Sequence, residues 1–226
     1  MRFVVSCLVA MLSLGTSTAF AVTPEPANDE QKTLYALGLA ISQSLGAFNL
    51  NESELELVKS GITDGVFKKT PKVDLQAFGQ KIQLLQQARA SVIATAEKKA
   101  GAAFLAKAAA EPGAKKTESG AILTMIKEGK GATPKATDTV KVHYHGTLTD
   151  GTVFDSSVKR GEPATFGLNQ VIKCWTEGVQ LMKVGSKGKL TCPSSLAYGD
   201  KGAPPTIKPG STLVFEVELL EIVAAK

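Results

Sequence analysis

Eight residues in the second half of the chain have the character needed to build an apolar pocket: Tyr144, Phe154, Phe166, Val171, Ile172, Trp175, Tyr198 and Phe215. On periodicity alone they would serve equally well as core, because aromatic side chains usually fill domain interiors. His143 and His145 alternate on what reads as one strand and so share a face. Such a pair can chelate a metal, but no nearby Cys or carboxylate set completes a site. The expectation is a solvent-facing pair, with no metal and no cofactor. Lys115-Lys116 and Lys159-Arg160 read as solvated charge, and Met125 and Met182 as core.

These residues need a sheet to position them. Val140, Val142 and Tyr144 alternate with Lys141, His143 and His145, the pattern of a half-buried strand. Asp150-Gly151 is a hairpin-type turn. Leu213, Phe215, Val217 and Leu219 alternate with Glu216 and Glu218 in a final strand. Only one short helix is expected here, around Cys174 to Met182. The implied fold class is α+β: a mostly antiparallel C-terminal sheet wrapped on a short helix.

The stretch from Asp29 to Ala110 has helical grammar instead. Leu34, Leu37, Ile41 and Leu45 recur at three- and four-residue steps. Asn51 and Glu54 form a plausible capping pair before a second helix carrying Leu55, Val58, Ile62 and Val66. Gly61 and Gly65, one turn apart on it, are easiest to excuse where another helix comes close. Asp74 is a good N-cap for a third helix carrying Leu75, Phe78, Ile82 and Leu85, then Val92, Ala96 and Ala100 after Arg89 interrupts the stripe. Nothing stops it before Glu111-Pro112-Gly113. At ~1.5 Å per residue it would run about 55 Å, more than a small helical domain can cover. Part of it must project as an arm or pack against a second chain. An all-α dimerisation domain with a long stalk helix is the expectation.

Met1 to Ala21 carries one positive charge, an apolar stretch from Phe3 to Leu14, and Ala19-Phe20-Ala21. That order is a secretory signal, with cleavage after Ala21. The apolar part is short for a membrane span, and Cys7 within it has no leucine three residues before it, which argues against a lipid-modified mature cysteine. The domains are therefore expected as a signal peptide (1–21), a helical dimerisation domain and stalk (22–113) and a third domain (114–226). Cleavage leaves Cys174 and Cys192, an even number in an oxidising compartment, so a single disulfide is predicted, with two buried thiols as the alternative. The 226 residues carry a net charge of +5 with no basic run longer than two residues, which argues against nucleic acid as a partner.

The order of the segments is the most specific signal. VHYHGTLTDGTVFDSS, then QVIKCWTEGVQLMKVG, then LAYG and TLVFEVELLEI resemble the FK506-binding (FKBP) family of peptidyl-prolyl cis-trans isomerases, from about Ser119 to Ile222. The helical half with its stalk and signal looks like the exported bacterial branch, the macrophage infectivity potentiator and FkpA type. The resemblance implies isomerisation of X–Pro bonds in exported proteins, dimerisation through the N-terminal helices, periplasmic location with outer-membrane association or secretion as variants, and chaperone activity. It implies unfolded, proline-containing polypeptides as partners, with FK506- or rapamycin-like macrolides as further ligands. Carried over residue by residue, it makes Tyr144, Phe154, Asp155, Trp175, Tyr198 and Phe215 the catalytic set, and Phe166, Val171, Ile172 and Ile207 the substrate-binding set. Trp175 would form the floor, Phe154 and Phe215 would clasp the proline ring, and the Tyr198 hydroxyl and Ile172 N–H would meet substrate carbonyls. Asp155 would sit at the edge, bonded to Tyr144. Four positions depart from the best-known small members: Ala164, Ala203, Thr206 and Cys174. The paired departure at Cys174 and Cys192 fits a disulfide tying helix to strand. A non-enzymatic holdase using a helical cleft is the alternative function.

Overall fold

The computed structural model describes residues 25–223. The expected signal peptide, with Cys7, lies outside the described residues. By compactness the chain divides within its first helix, between Leu39 and Ala40.

Three helices come first: α1 (Asp29–Leu45), α2 (Glu52–Val66) and α3 (Leu75–Ala109). The caps are those the sequence supplies. Asn51 and Glu54 make a reciprocal capping box at α2, and Asp74 accepts from Gln76 N–H at the start of α3. Arg89 breaks the apolar stripe of α3 because it has another task. Its guanidinium donates to the Phe48 carbonyl at 2.8 Å and to both Glu54 oxygens, tying the turn after α1 and the start of α2 to α3. The hydrogen bond from Arg89, helped by the Asn51 N–H, holds the Glu54 carboxyl at about 2. Neither α1 nor α2 contains a buried residue, and a Cβ on Gly61 or Gly65 would meet nothing within 4 Å.

The second half of α3 is not a free arm. Ala94, Gly101 and Ala108, spaced by seven residues along one side, are buried, and just beyond the helix Glu111 pairs with Lys189 at 2.6 Å. The second half of α3 is thus not part of any projecting stalk.

The sheet contains β1 (Ala114–Lys116), β2 (Ile122–Lys127), β3 (Thr139–Leu148), β4 (Val153–Ser156), β5 (Ala164–Gly167), β6 (Lys187–Cys192) and β7 (Leu213–Val223). It is antiparallel in the order β1-β2-β6-β7-β3-β4, with β5 also paired to β3. Between the strands lie α4 (Ser157–Arg160), directly after β4, and α5 (Lys173–Val179). The one-turn α4 is a helix the sequence reading did not expect. Four residues are too few for periodicity, and only the Ser156 cap and the left-handed Gly161 mark its ends. The sheet packs on α5, and the core includes Val140, Val142, Val179, Met182, Leu190 and Leu219. Gly178 lets α5 approach, since a Cβ there would lie 2.3 Å from Leu190. Cys174 on α5 and Cys192 at the end of β6 form the predicted disulfide.

Candidate active site

A bowl of about 400 Å³ opens where the sheet meets α5. Strand alternation places Tyr144 from β3 and Phe215 from β7 on its inner side. Phe154 and Asp155 come from β4, Phe166 from β5, and Val171 and Ile172 from the turn into α5. Trp175, in the first turn of α5, is 4% exposed and central to the ring packing. Its ring meets Tyr144 at 5.4 Å, Phe166 at 5.8 Å and Phe215 at 5.4 Å, all edge to face. Phe154 meets Phe215 at 5.5 Å in the same manner. Edge-to-face contacts fix ring orientation better than area burial alone, so the walls are preformed. Tyr198, 42% exposed, stands on the loop after β6.

Two N–H groups in this apolar setting have no partner in the protein among the described residues. The indole N–H of Trp175 is buried without a partner. Ile172 precedes α5, where helix starts leave N–H groups open. Its carbonyl accepts from Trp175 and Thr176, while its own N–H finds no backbone partner.

The rim is electrostatically tied. The Tyr144 hydroxyl donates to one oxygen of Asp155, Arg160 donates to the other, and Arg160 also donates to the Tyr144 oxygen at 2.9 Å. Burial pushes the Asp155 carboxyl up, but the hydrogen bonds from Tyr144 and Arg160 outweigh it and hold the group below its ordinary range. Burial, reinforced by Asp155, pushes the Tyr144 phenol up. At neutral pH the group is therefore a carboxylate accepting from a neutral phenol.

Nine of the ten pocket residues expected from sequence line this bowl. Ile207 does not. It is 5% exposed, in an isolated bridge with Ala203, and lines a different crevice beside Val92 and Ala96 of α3. Of the departures, Ala164 lies on β5 opposite Val142, and Thr206 is exposed on the loop. Three contributors were missed. Gln170 lines the bowl, and its only sequence signal was adjacency to Val171. Arg160, read as solvated, is the partner of Asp155; the five-residue spacing across a short turn was the available clue. Gly146 is the third: a Cβ there would lie 2.7 Å from the Phe154 ring and 3.1 Å from that of Phe215. The histidines, expected to face solvent, are instead half-buried, His143 bonded to Ser157 at 3.2 Å and His145 to Ser156 at 2.9 Å. Among the described residues no group of three or more His, Cys, Asp or Glu is placed to hold a metal ion.

Residues 130–220 match the family described as FKBP-type peptidyl-prolyl cis-trans isomerase, and residues 30–123 match the domain described as amino-terminal to it. A relative from Aeromonas hydrophila, the FKBP-type peptidyl-prolyl cis-trans isomerase FkpA, is 48% identical over 90% of this chain and 80% of its own. The FKBP-type 22 kDa isomerase of Escherichia coli is 44% identical, with 88% and 98% covered. The outer membrane protein MIP of Legionella longbeachae is 35% identical, with 94% and 95% covered. The crystal structure of FkpA from Escherichia coli superposes with a TM-score of 0.66 at 38% identity, covering 88% of this chain and 99% of that one. With the ordered segments, the antiparallel sheet on α5 and these relatives in agreement, the chain belongs to the family of FKBP-type peptidyl-prolyl cis-trans isomerases.

Proposed function

We propose that the aromatic bowl is where this isomerase rotates X–Pro bonds, and that it does so by solvation and positioning. The barrier, about 20 kcal/mol, comes from amide resonance. Twisting the bond removes that resonance and leaves a less polar group with a localised nitrogen lone pair. A water-poor bowl of aromatic rings favours the twisted form over the planar one. Phe154 and Phe215 clasp the proline ring above Trp175, with Phe166 and Val171 completing the walls. The Ile172 N–H and the Tyr198 hydroxyl hold flanking carbonyls in a turn. A thousandfold acceleration needs about 4 kcal/mol, which this division of labour supplies without a nucleophile.

Asp155 acts through Tyr144. Rotation transfers no proton, and Asp155 is already ionised at neutral pH, held so by Tyr144 and Arg160. The observation that carries the reading is the set of five mutually orienting rings around an open apolar space, bordered by an unengaged N–H. A protease-coupled assay on a short X–Pro peptide tests it. The chain should accelerate the slow phase, Asp155→Asn should lower the rate without a new titratable step, and Tyr198→Phe should raise KM. No acceleration by the wild-type chain would remove the proposal.

The same reading extends to setting. Segment 22–113 is proposed to form a homodimer and 114–226 the isomerase domain, with 1–21 directing export to the periplasm. Exposed apolar stripes on the helices support the dimer, and the signal-like N-terminus together with a relative named an outer membrane protein supports export. Unfolded proline-containing chains are the proposed substrates, and macrolides of the FK506 type proposed competitors. The exposed stripes also favour a second reading, holdase activity. Phe154→Ala should abolish rotation while leaving suppression of aggregation intact.

A further inference from the structure

The loop from Tyr198 to Thr212 has two sides. One carries Tyr198 at the rim of the bowl, and the other lies against the second half of α3. Gly101 leaves no room there: a Cβ on it would sit 2.2 Å from Thr212 Oγ1 and 3.1 Å from Thr212 Cβ. One heptad earlier, Gly210 presses on Ala94, its own would-be Cβ 2.5 Å from the Ala94 carbonyl oxygen. Around this contact Lys98 pairs with Asp200 at 2.5 Å and Glu97 with Lys208 at 3.6 Å. The loop is braced inside as well. Gly210 N–H donates to the Gly199 carbonyl at 2.9 Å, Gly199 N–H to Ser194 at 2.8 Å, and Gly202 N–H to Tyr198 at 3.2 Å. The backbone of α3 is thus two contacts from the residue beside Tyr198. Thr212 also leads into β7, where Phe215 follows three residues later.

We propose that Gly101 is a positioning residue for the isomerase. By letting α3 lie directly on Thr212, it holds the Tyr198–Gly210 loop, and with it the Tyr198 hydroxyl, in the place where substrate is gripped. This rests on the bowl being the isomerase site. Exposed loops are mobile unless packed against a rigid element, and a ligand that must order its own binding loop binds more weakly. A loop clamped by a helix backbone has already met that cost. The clamp therefore acts on substrate binding, whereas the rings that favour the twisted bond are fixed by one another.

The test uses the full chain as wild type, Gly101→Ala and the double variant Gly101→Ala/Thr212→Ala, which removes the hydroxyl that the new methyl would strike. Isomerisation is measured over a range of peptide concentrations, and amide hydrogen exchange is followed in residues 199–210. Gly101→Ala should raise KM about fivefold with kcat within about twofold, and exchange in the loop should speed up. The double variant should recover both. An unchanged KM in Gly101→Ala, whether or not exchange changes, overturns the proposal. So does equal loss of activity in both variants, which would mean general damage to the fold. A wild-type chain that accelerates nothing would instead sink the bowl as the isomerase site. A wild-type chain that is active beside an unaffected Gly101→Ala would sink the clamp alone.

Discussion

Val140, Val142, Leu190, Val217 and Leu219 of the sheet are wholly buried, whereas Leu34, Leu37, Ile62, Val66, Phe78 and Ile82 of the three helices are each at least 40% exposed. Both sets sit at the spacing that signals an inward face. The sheet domain meets its own demand, because α5 covers one side of a strongly paired antiparallel ladder. The helices do not meet theirs within one chain. A periodic apolar stripe says that a face is to be covered, and it is silent on which chain covers it.

The most drastic way to break that contrast is to charge the uncovered face. Ile82→Glu combined with Leu85→Glu should convert the proposed dimer to a single chain by light scattering, while the sheet domain keeps its melting temperature. A wild-type chain that already scatters as a single copy would end the comparison at its root. Next in size, Leu190→Ala should cost about 3 kcal/mol by denaturant titration, and Leu34→Ala under about 0.5 kcal/mol at concentrations where the chain is alone. Opening the Cys174–Cys192 bond, which spans 18 positions, should cost about 3 kcal/mol in the loop-entropy account and act only on the sheet domain. Smaller still, Gly146→Ala should displace Phe154 and lower kcat/KM about tenfold, with little change in helical content by circular dichroism. Among the changes within the sheet domain, the smallest effect belongs to Asp155. Its folded pKa lies below the ordinary 3.8, so its contribution is present above about pH 4 and is lost as pH falls further. Because the pair with Arg160 is nearly half exposed, Asp155→Asn should remove less than about 1 kcal/mol of that acid dependence.

What could be read in advance follows the same division. Strand alternation around Tyr144 and Phe215, the caps at Asn51 and Asp74, and the cysteine pairing were local or arithmetical, so the residues carried them openly. Nine pocket positions came from the ordered family segments, since periodicity cannot distinguish an aromatic that lines a hollow from one that fills a core. Arg160 escaped because an ion pair across α4 depends on a turn too short to have a period. Gly146 escaped because its contribution is a missing atom. Ile207 was carried into the bowl by resemblance, yet it is buried beside its bridge partner Ala203 and lines the separate crevice next to α3. The docking of α3 was hidden for a related reason: small residues seven apart look like a gap in an apolar stripe, when Ala94 and Gly101 are the places where the loop before β7 comes against the helix.

Trp175 is the single tryptophan of the chain. Because it lies under the bowl, far along the sequence from the helical segment, the molecule carries its own optical reporter. Its emission should be blue-shifted while the sheet domain is intact, should change when a proline-containing ligand settles above the indole, and should stay dark to any melting confined to α1 and α2. One spectrum read beside far-ultraviolet ellipticity would time the two regions separately, without a dye or a label.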